Sequence, residues 1–140
     1  MIIAAVSQLF RPAVETLEGL AIVKPGIVWS EEAEDNVVPD IAIILPDRLH
    51  LATGRTLSGC PRIVMEIVSQ GSIEVDYVNK RHLYARTGAQ EYWIIDWQRK
   101  GIQVLTFTES PAQAMAYTAG QMITTPLIPG LEVPVDELLG

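Results

Sequence analysis

The segment Arg62-Ile-Val-Met-Glu-Ile-Val-Ser69 is apolar at odd and even positions alike, and a strand written that way needs cover on both faces of its sheet. Val37–Leu45 reads in the same manner. A chain with two such strands folds around a sheet packed between layers, and the remaining segments supply the layers. Ile3, Val6, Leu9, Phe10, Val14 and Leu17 recur at helical spacing, which predicts an amphipathic helix over roughly the first eighteen residues. Pro12 is expected to kink or divide it. A second helix is predicted from Asp76 to Thr87, with Gly88 at its stop position.

Other elements are shorter. Leu20–Val23 and Gly26–Trp29 predict a strand pair turned at Pro25-Gly26, and Glu31–Asp35 reads as a solvated acidic loop. Pro46–Pro61 reads as a long loop. Glu91–Trp97 and Ile102–Thr108 predict a hairpin through Gln98–Gly101. Short strands and turns fill the tail before a last helical turn at Val135–Leu139. This order predicts an α/β (α+β) fold with a central mixed sheet flanked by helices. The passage from Arg62 to Trp97 is long enough to be a parallel strand–helix–strand crossover. One domain spanning residues 1–140 is expected.

Composition narrows the function. Apolar residues make up 49% and charged residues 19% of the 140, a balance typical of folded proteins and not of disordered ones. Ten Lys and Arg against seventeen Asp and Glu give a formal charge of −7. Tight, sequence-blind DNA binding draws on phosphate neutralisation by basic residues, so the bulk charge argues against it while leaving room for a local basic patch. The single Cys60 forms no internal disulfide and belongs to no metal-ligand spacing, as expected in a reducing cytoplasm. The apolar N-terminus is too short to span a bilayer and has no positive charge before it.

The informative residues are two acids inside apolar strands. Val64, Glu66 and Val68 share one strand face, and Val38, Asp40, Ala42 and Ile44 share another. An unpaired carboxylate on such a face costs several kcal/mol, as an order of magnitude, so a cation or a proton must compensate it. Taken alone, Asp40 after Pro39 reads as an acid ending a turn at a strand start. The plain alternative for Glu66 is a buried ion pair with Arg or Lys. Taken together on neighbouring strands, the pair offers oxygen ligands suited to Mg²⁺ or Mn²⁺.

Asp76, Lys80 and Tyr84 are spaced four apart and line one stripe of the second helix. That helix follows the Glu66 strand, so it can aim Lys80 at the carboxylates. An exposed Asp76–Lys80 pair, or Asp76 as helix cap, is the plain reading. Asp96, at a strand end before a turn, reads as structural, and His50 and His82 have no partner spacing. Trp29, Trp93 and Trp97 read as core or interface residues before base-stacking ones. Lys80, Arg81 and Arg86 form a small basic cluster, by default a solvated face.

Val38-Pro39-Asp40, the run Pro61–Ser69, and Asp76…Lys80…Tyr84…Gly88…Glu91-Tyr-Trp-Ile-Ile-Asp96 together resemble the Uma-two family of putative restriction endonucleases, a branch of the PD-(D/E)XK nuclease superfamily. The likeness runs from the first helix to Leu127–Leu131. It implies a restriction endonuclease-like fold, with Asp40 and Glu66 as metal-binding acids and the Ile67 carbonyl as accompanying ligand. Val68 stands where the superfamily's usual motif has lysine. In this family the lysine moves to the following helix, which maps onto Lys80. The pattern also has an N-terminal segment with a Glu before the first long helix. This sequence is short there and starts inside that helix, with Glu15 as the candidate to stand in.

The resemblance therefore implies Mg²⁺-dependent (or Mn²⁺-dependent) hydrolysis of DNA phosphodiesters, with Asp40, Glu66 and Lys80 as catalytic residues. The acidic charge favours a weak, homodimeric or partner-assisted DNA binder. The alternative is a catalytically inactive nuclease-fold protein that acts as a protein-interaction module.

Overall fold

The computed structural model describes residues 2–27, 38–53, 56–68, 74–108 and 113–139. Helix α1 (Ile2–Thr16) is followed by strands β1 (Leu20–Val23), β2 (Gly26–Ile27) and β3 (Ile41–Ile44). A 3-10 helix at Pro46–Leu51 leads to β4 (Ala52–Thr53), β5 (Thr56–Leu57) and β6 (Ile63–Val68). Helix α2 (Glu74–Thr87) then precedes β7 (Glu91–Asp96), β8 (Gly101–Thr106) and β9 (Gln113–Tyr117). Strands β10 (Met122–Ile123) and β11 (Val133–Pro134) and helix α3 (Val135–Leu139) complete the order.

The main sheet has six strands in the order β1-β3-β6-β7-β8-β9. Only β6 and β7 pair in parallel, joined by α2, and the other neighbours are antiparallel. This is the mixed sheet that the sequence predicts. Its two faces are covered as the doubly apolar strands require. Ile41, Ile43, Ile63, Met65, Trp93 and Ile95 pack on one face against Val6, Phe10 and Val14 of α1 and Leu138 of α3. Phe10 meets Trp93 edge to face, with ring centroids 5.3 Å apart. On the other face Val64, Tyr92 and Leu105 pack against Tyr84 of α2. Ala42 and Ile44 on that face are covered by Ile27 and Leu57, which belong to a small sheet of order β2-β5-β4.

Three expectations change. Pro12, expected to kink or divide α1, lies inside one unbroken helix and so does not divide it. It and Gln8, whose carbonyl loses its helical donor there, lie on the exposed side of the helix, where water can take the freed bond. β1 and β2 do not pair with each other: β1 joins β3 and β2 joins β5. Lys24, at φ 51°, turns the chain out of the main sheet between them. The stretch read as one long loop contains the 3-10 helix and two short strands, and Arg48 ties it down by donating to the carbonyls of Cys60 and Gly88 at 3.0 and 2.7 Å. Glu31–Asp35 and Trp29 lie outside the described residues.

Helix α2 ends as predicted. Gly88 takes φ 109°, and the Ala89 N–H returns to the Tyr84 carbonyl at 3.1 Å, the closure of a Schellman turn. Among the described residues no helix is long and apolar enough to cross a membrane.

The turn from α1 into β1 depends on Gly19. A Cβ there would lie 2.5 Å from the Ile44 carbonyl oxygen and 3.0 Å from a Val14 methyl, and the backbone contact cannot move aside. Gly19→Ala is expected to destabilise the fold by about 1–3 kcal/mol in urea titration. Gly26→Ala meets only ordinary contact, a Thr56 methyl at 3.5 Å, and is expected to stay within about 0.5 kcal/mol of the parent.

Candidate metal and catalytic site

The β3–β6 register pairs Ile41 with Met65, Ala42 with Val64 and Ile43 with Ile63. Continued one step, it sets Asp40 opposite Glu66, and directly opposed residues on antiparallel strands share a face. Asp40 stands just before β3, and its Oδ2 accepts the Ile67 N–H at 2.7 Å. The side chain thereby replaces the ladder carbonyl where the pairing stops. The strand-start reading of Asp40 and its place beside Glu66 are thus both realised.

Glu66 is 7% exposed on a face otherwise lined by Val64, Tyr92 and partly buried Ile94. Helix α2 supplies its partners. Lys80 Nζ lies 3.2 Å from Oε2, and the Tyr84 hydroxyl donates to Oε1 at 3.1 Å. Both residues come from the stripe that four-residue spacing predicts. Asp76 lies inside α2 and not at its cap, and its side chain is outside the described residues.

Charge at this position is strained in spite of its partners. Burial pushes the Glu66 carboxyl above the usual carboxylate range, the Asp40 charge adds to the push, and the Lys80 ammonium and Tyr84 hydroxyl only partly offset it. The same surroundings hold the Tyr84 phenol protonated, chiefly through burial and then through Glu66. A second cation beside the carboxylates would be favoured on the same grounds.

Other candidates separate from this point. Val68, at the usual lysine position of the superfamily motif, is a buried core residue. Asp96 accepts the Arg99 N–H at 3.0 Å and so closes the β7–β8 turn, the structural role expected of it. His50 and His82 are exposed, and Trp93 is core. Glu15 is exposed on α1, which covers the opposite face of the sheet, so it cannot stand in at this site. Among the described residues no group of three or more His, Cys, Asp or Glu is arranged to hold a metal.

Two residues escaped the sequence reading. Glu91 is buried on the α1 face, where it accepts bonds from Trp93 Nε1 at 2.9 Å and from the Thr125 hydroxyl. It ties the C-terminal tail to β7 and takes no part in the Glu66 cluster. Lys24 donates its N–H to the Asp40 carbonyl at 2.8 Å, a neighbour that no local sequence signal could reveal.

A family model described as Uma2, putative restriction endonuclease, matches residues 2–136. Among solved structures, a crystal structure of a putative nuclease belonging to DUF820 from Anabaena variabilis aligns with a TM-score of 0.74 at 14% identity. The alignment covers 98% of this chain and 75% of that one. At such identity the likeness is one of fold, and the fold is restriction endonuclease-like. No curated protein matches the chain.

The raised Glu66 pKa has a testable consequence. The folded protein holds this proton to higher pH than the unfolded chain does, so stability falls as pH rises from the ordinary glutamate pKa to the raised folded value. Glu66→Gln is expected to flatten that part of the stability–pH profile in urea titrations without added metal. An unchanged slope would mean that Glu66 is not the group responsible.

Proposed function

The chain belongs to the Uma2 family of putative restriction endonucleases, and on that premise we propose that it hydrolyses DNA phosphodiesters with a divalent cation, Mg²⁺ or Mn²⁺. The observation that carries this reading is the buried Glu66 carboxyl with Asp40 beside it and Lys80 in contact. The donor set fits such a cation. Asp40, Glu66 and the Ile67 carbonyl are hard oxygen ligands. Strand alternation turns the Ile67 carbonyl toward the same edge as its N–H, where Pro39 has no N–H to meet it. Burial, which disfavours an isolated charge on Glu66, favours one shared with a cation.

When bound, the cation neutralises phosphate charge and acidifies a water molecule. The chain's own groups do the rest. Tyr84 and Lys80 fix the two Glu66 oxygens, and the Ile67 N–H fixes one oxygen of Asp40. Lys80, anchored on Glu66, presents an ammonium where negative charge accumulates as the phosphate is attacked, and preorganised charge of this kind acts on the transition state. Catalytic roles go to Asp40, Glu66 and Lys80. Tyr84 is a positioning residue.

A second reading is supported by the direct Lys80–Glu66 contact, which compensates the acid without metal. In it the protein is an inactive nuclease-fold module that acts by protein association.

Cleavage of duplex DNA with Mg²⁺, together with melting in Mn²⁺, separates the two. Under the nuclease reading, Asp40→Asn and Glu66→Gln abolish cleavage, and Lys80→Met lowers it by about 10²–10³-fold. Mn²⁺ raises the melting temperature of the parent but not of Glu66→Gln. A folded parent that neither cuts DNA nor responds to Mn²⁺ would leave the inactive module standing.

A further inference from the structure

The end of the main sheet that holds Asp40 and Glu66 is built from the C-terminal ends of β1, β6 and β7, because β1 and β6 both run antiparallel to β3 and β7 runs parallel to β6. Cations stand at both margins of that end. Lys24 follows β1, is exposed, and is anchored to Asp40 through its own N–H. The β7–β8 turn, Trp97-Gln98-Arg99-Lys100, lies beyond the other side of Glu66. In it the Arg99 side chain is 90% exposed, and Trp97 is 45% exposed. Lys100 stiffens the turn, with its ammonium 5.0 Å from the Trp97 ring centroid and 3.2 Å from the Leu139 carbonyl oxygen. Arg99 makes a loose 3.8 Å approach to Asp96. In a chain of net charge −7, basic side chains from separate elements at one sheet end stand against the bulk electrostatics.

The strand order fixes the span. From β1 to β7 there are three strand steps of about 4.8 Å each, or roughly 14 Å, and two long side chains extend it further. That distance corresponds to about four nucleotides of one strand at roughly 3.4 Å of axial rise each. We propose that Lys24 and Arg99 form a phosphate-contacting rim on either side of the carboxylates, so that the site takes a polynucleotide strand and not a mononucleotide or a short phosphodiester. This rests on the nuclease reading for the identity of the central phosphate, but the contacts are electrostatic and are measured without cleavage. It also reconciles an acidic chain with a nucleic-acid substrate, because the rim is local.

The test is the salt dependence of binding to a labelled DNA duplex in EDTA, followed by anisotropy, for the parent and the double variant Lys24→Ala/Arg99→Ala. Each lost phosphate contact lowers the slope of log K against log salt by about 0.9, so a fall of about two is expected, with melting temperature retained. The variant Arg11→Ala/Arg86→Ala removes the same charge from α1 and from the far end of α2, and is expected to leave the slope unchanged. Equal slopes for the parent and the rim variant would overturn the proposal. So would an equal fall in the control, or the absence of salt-dependent binding by the parent. Cleavage scored separately in Mg²⁺ distinguishes the two claims. A protein that binds through the rim without cutting removes the hydrolytic reading alone, and one that cuts while its slope ignores Lys24 and Arg99 removes the rim alone.

Discussion

A carboxylate held on the apolar face of a sheet is an expensive object, and much of this structure is arranged around the one at Glu66. Helix α2 must pack on that face for Lys80 and Tyr84 to reach the two oxygens. For α2 to do so, β6 and β7 must be parallel neighbours, since only a crossover returns the chain to the same sheet end with a helix in between. The α1 and α3 layer on the other face then buries Ile63, Met65, Trp93 and Ile95 of the same two strands. The ion pair does not fully relieve the burial, because the Glu66 carboxyl remains above the usual range. The geometry behind the proposed cation is a carboxyl buried on an apolar face with Asp40 set opposite it.

Basic side chains gather at one sheet end of a chain whose net charge is acidic. The net charge of −7 works against approach of a polyanion, while Lys24, Lys80 and the Arg99-Lys100 turn come from three different parts of the fold. Screening within about 8–10 Å at physiological salt lets such a patch act on what touches it without being cancelled by distant acids.

Much of this was legible in the sequence where the signal is local. Six residues of β6 with one acid in the middle, followed by a helix with Lys80 and Tyr84 four apart, prescribe both the two-sided burial and the aim of the lysine. Gly88 marks the helix stop, and the β7–β8 hairpin is bounded by its turn. What was illegible depends on distant partners. Strands β2, β4 and β5 have two residues each, too few to carry a period, and β2 takes a parallel partner remote in the chain in place of the adjacent β1. Lys24 meets Asp40 only because β1 lies beside β3. Glu91 sits in a strand where a terminal acid looks solvated, and only the tail that brings Thr125 over it makes it buried. The match of the family model and the likeness of fold bear out the resemblance read from the residues, while the roles of the individual side chains rest on physical argument.

Glu66 is a buried carboxyl, and the proposed function has its charge shared with a metal ion. Its side-chain carboxyl can be titrated directly by carbon-detected NMR, first in EDTA and then in saturating Mg²⁺. A midpoint above that of ordinary glutamates is expected without metal, falling when Mg²⁺ is added. A midpoint at or below the ordinary value, indifferent to Mg²⁺, would show that Lys80 and Tyr84 already satisfy the acid and would contradict the metal site.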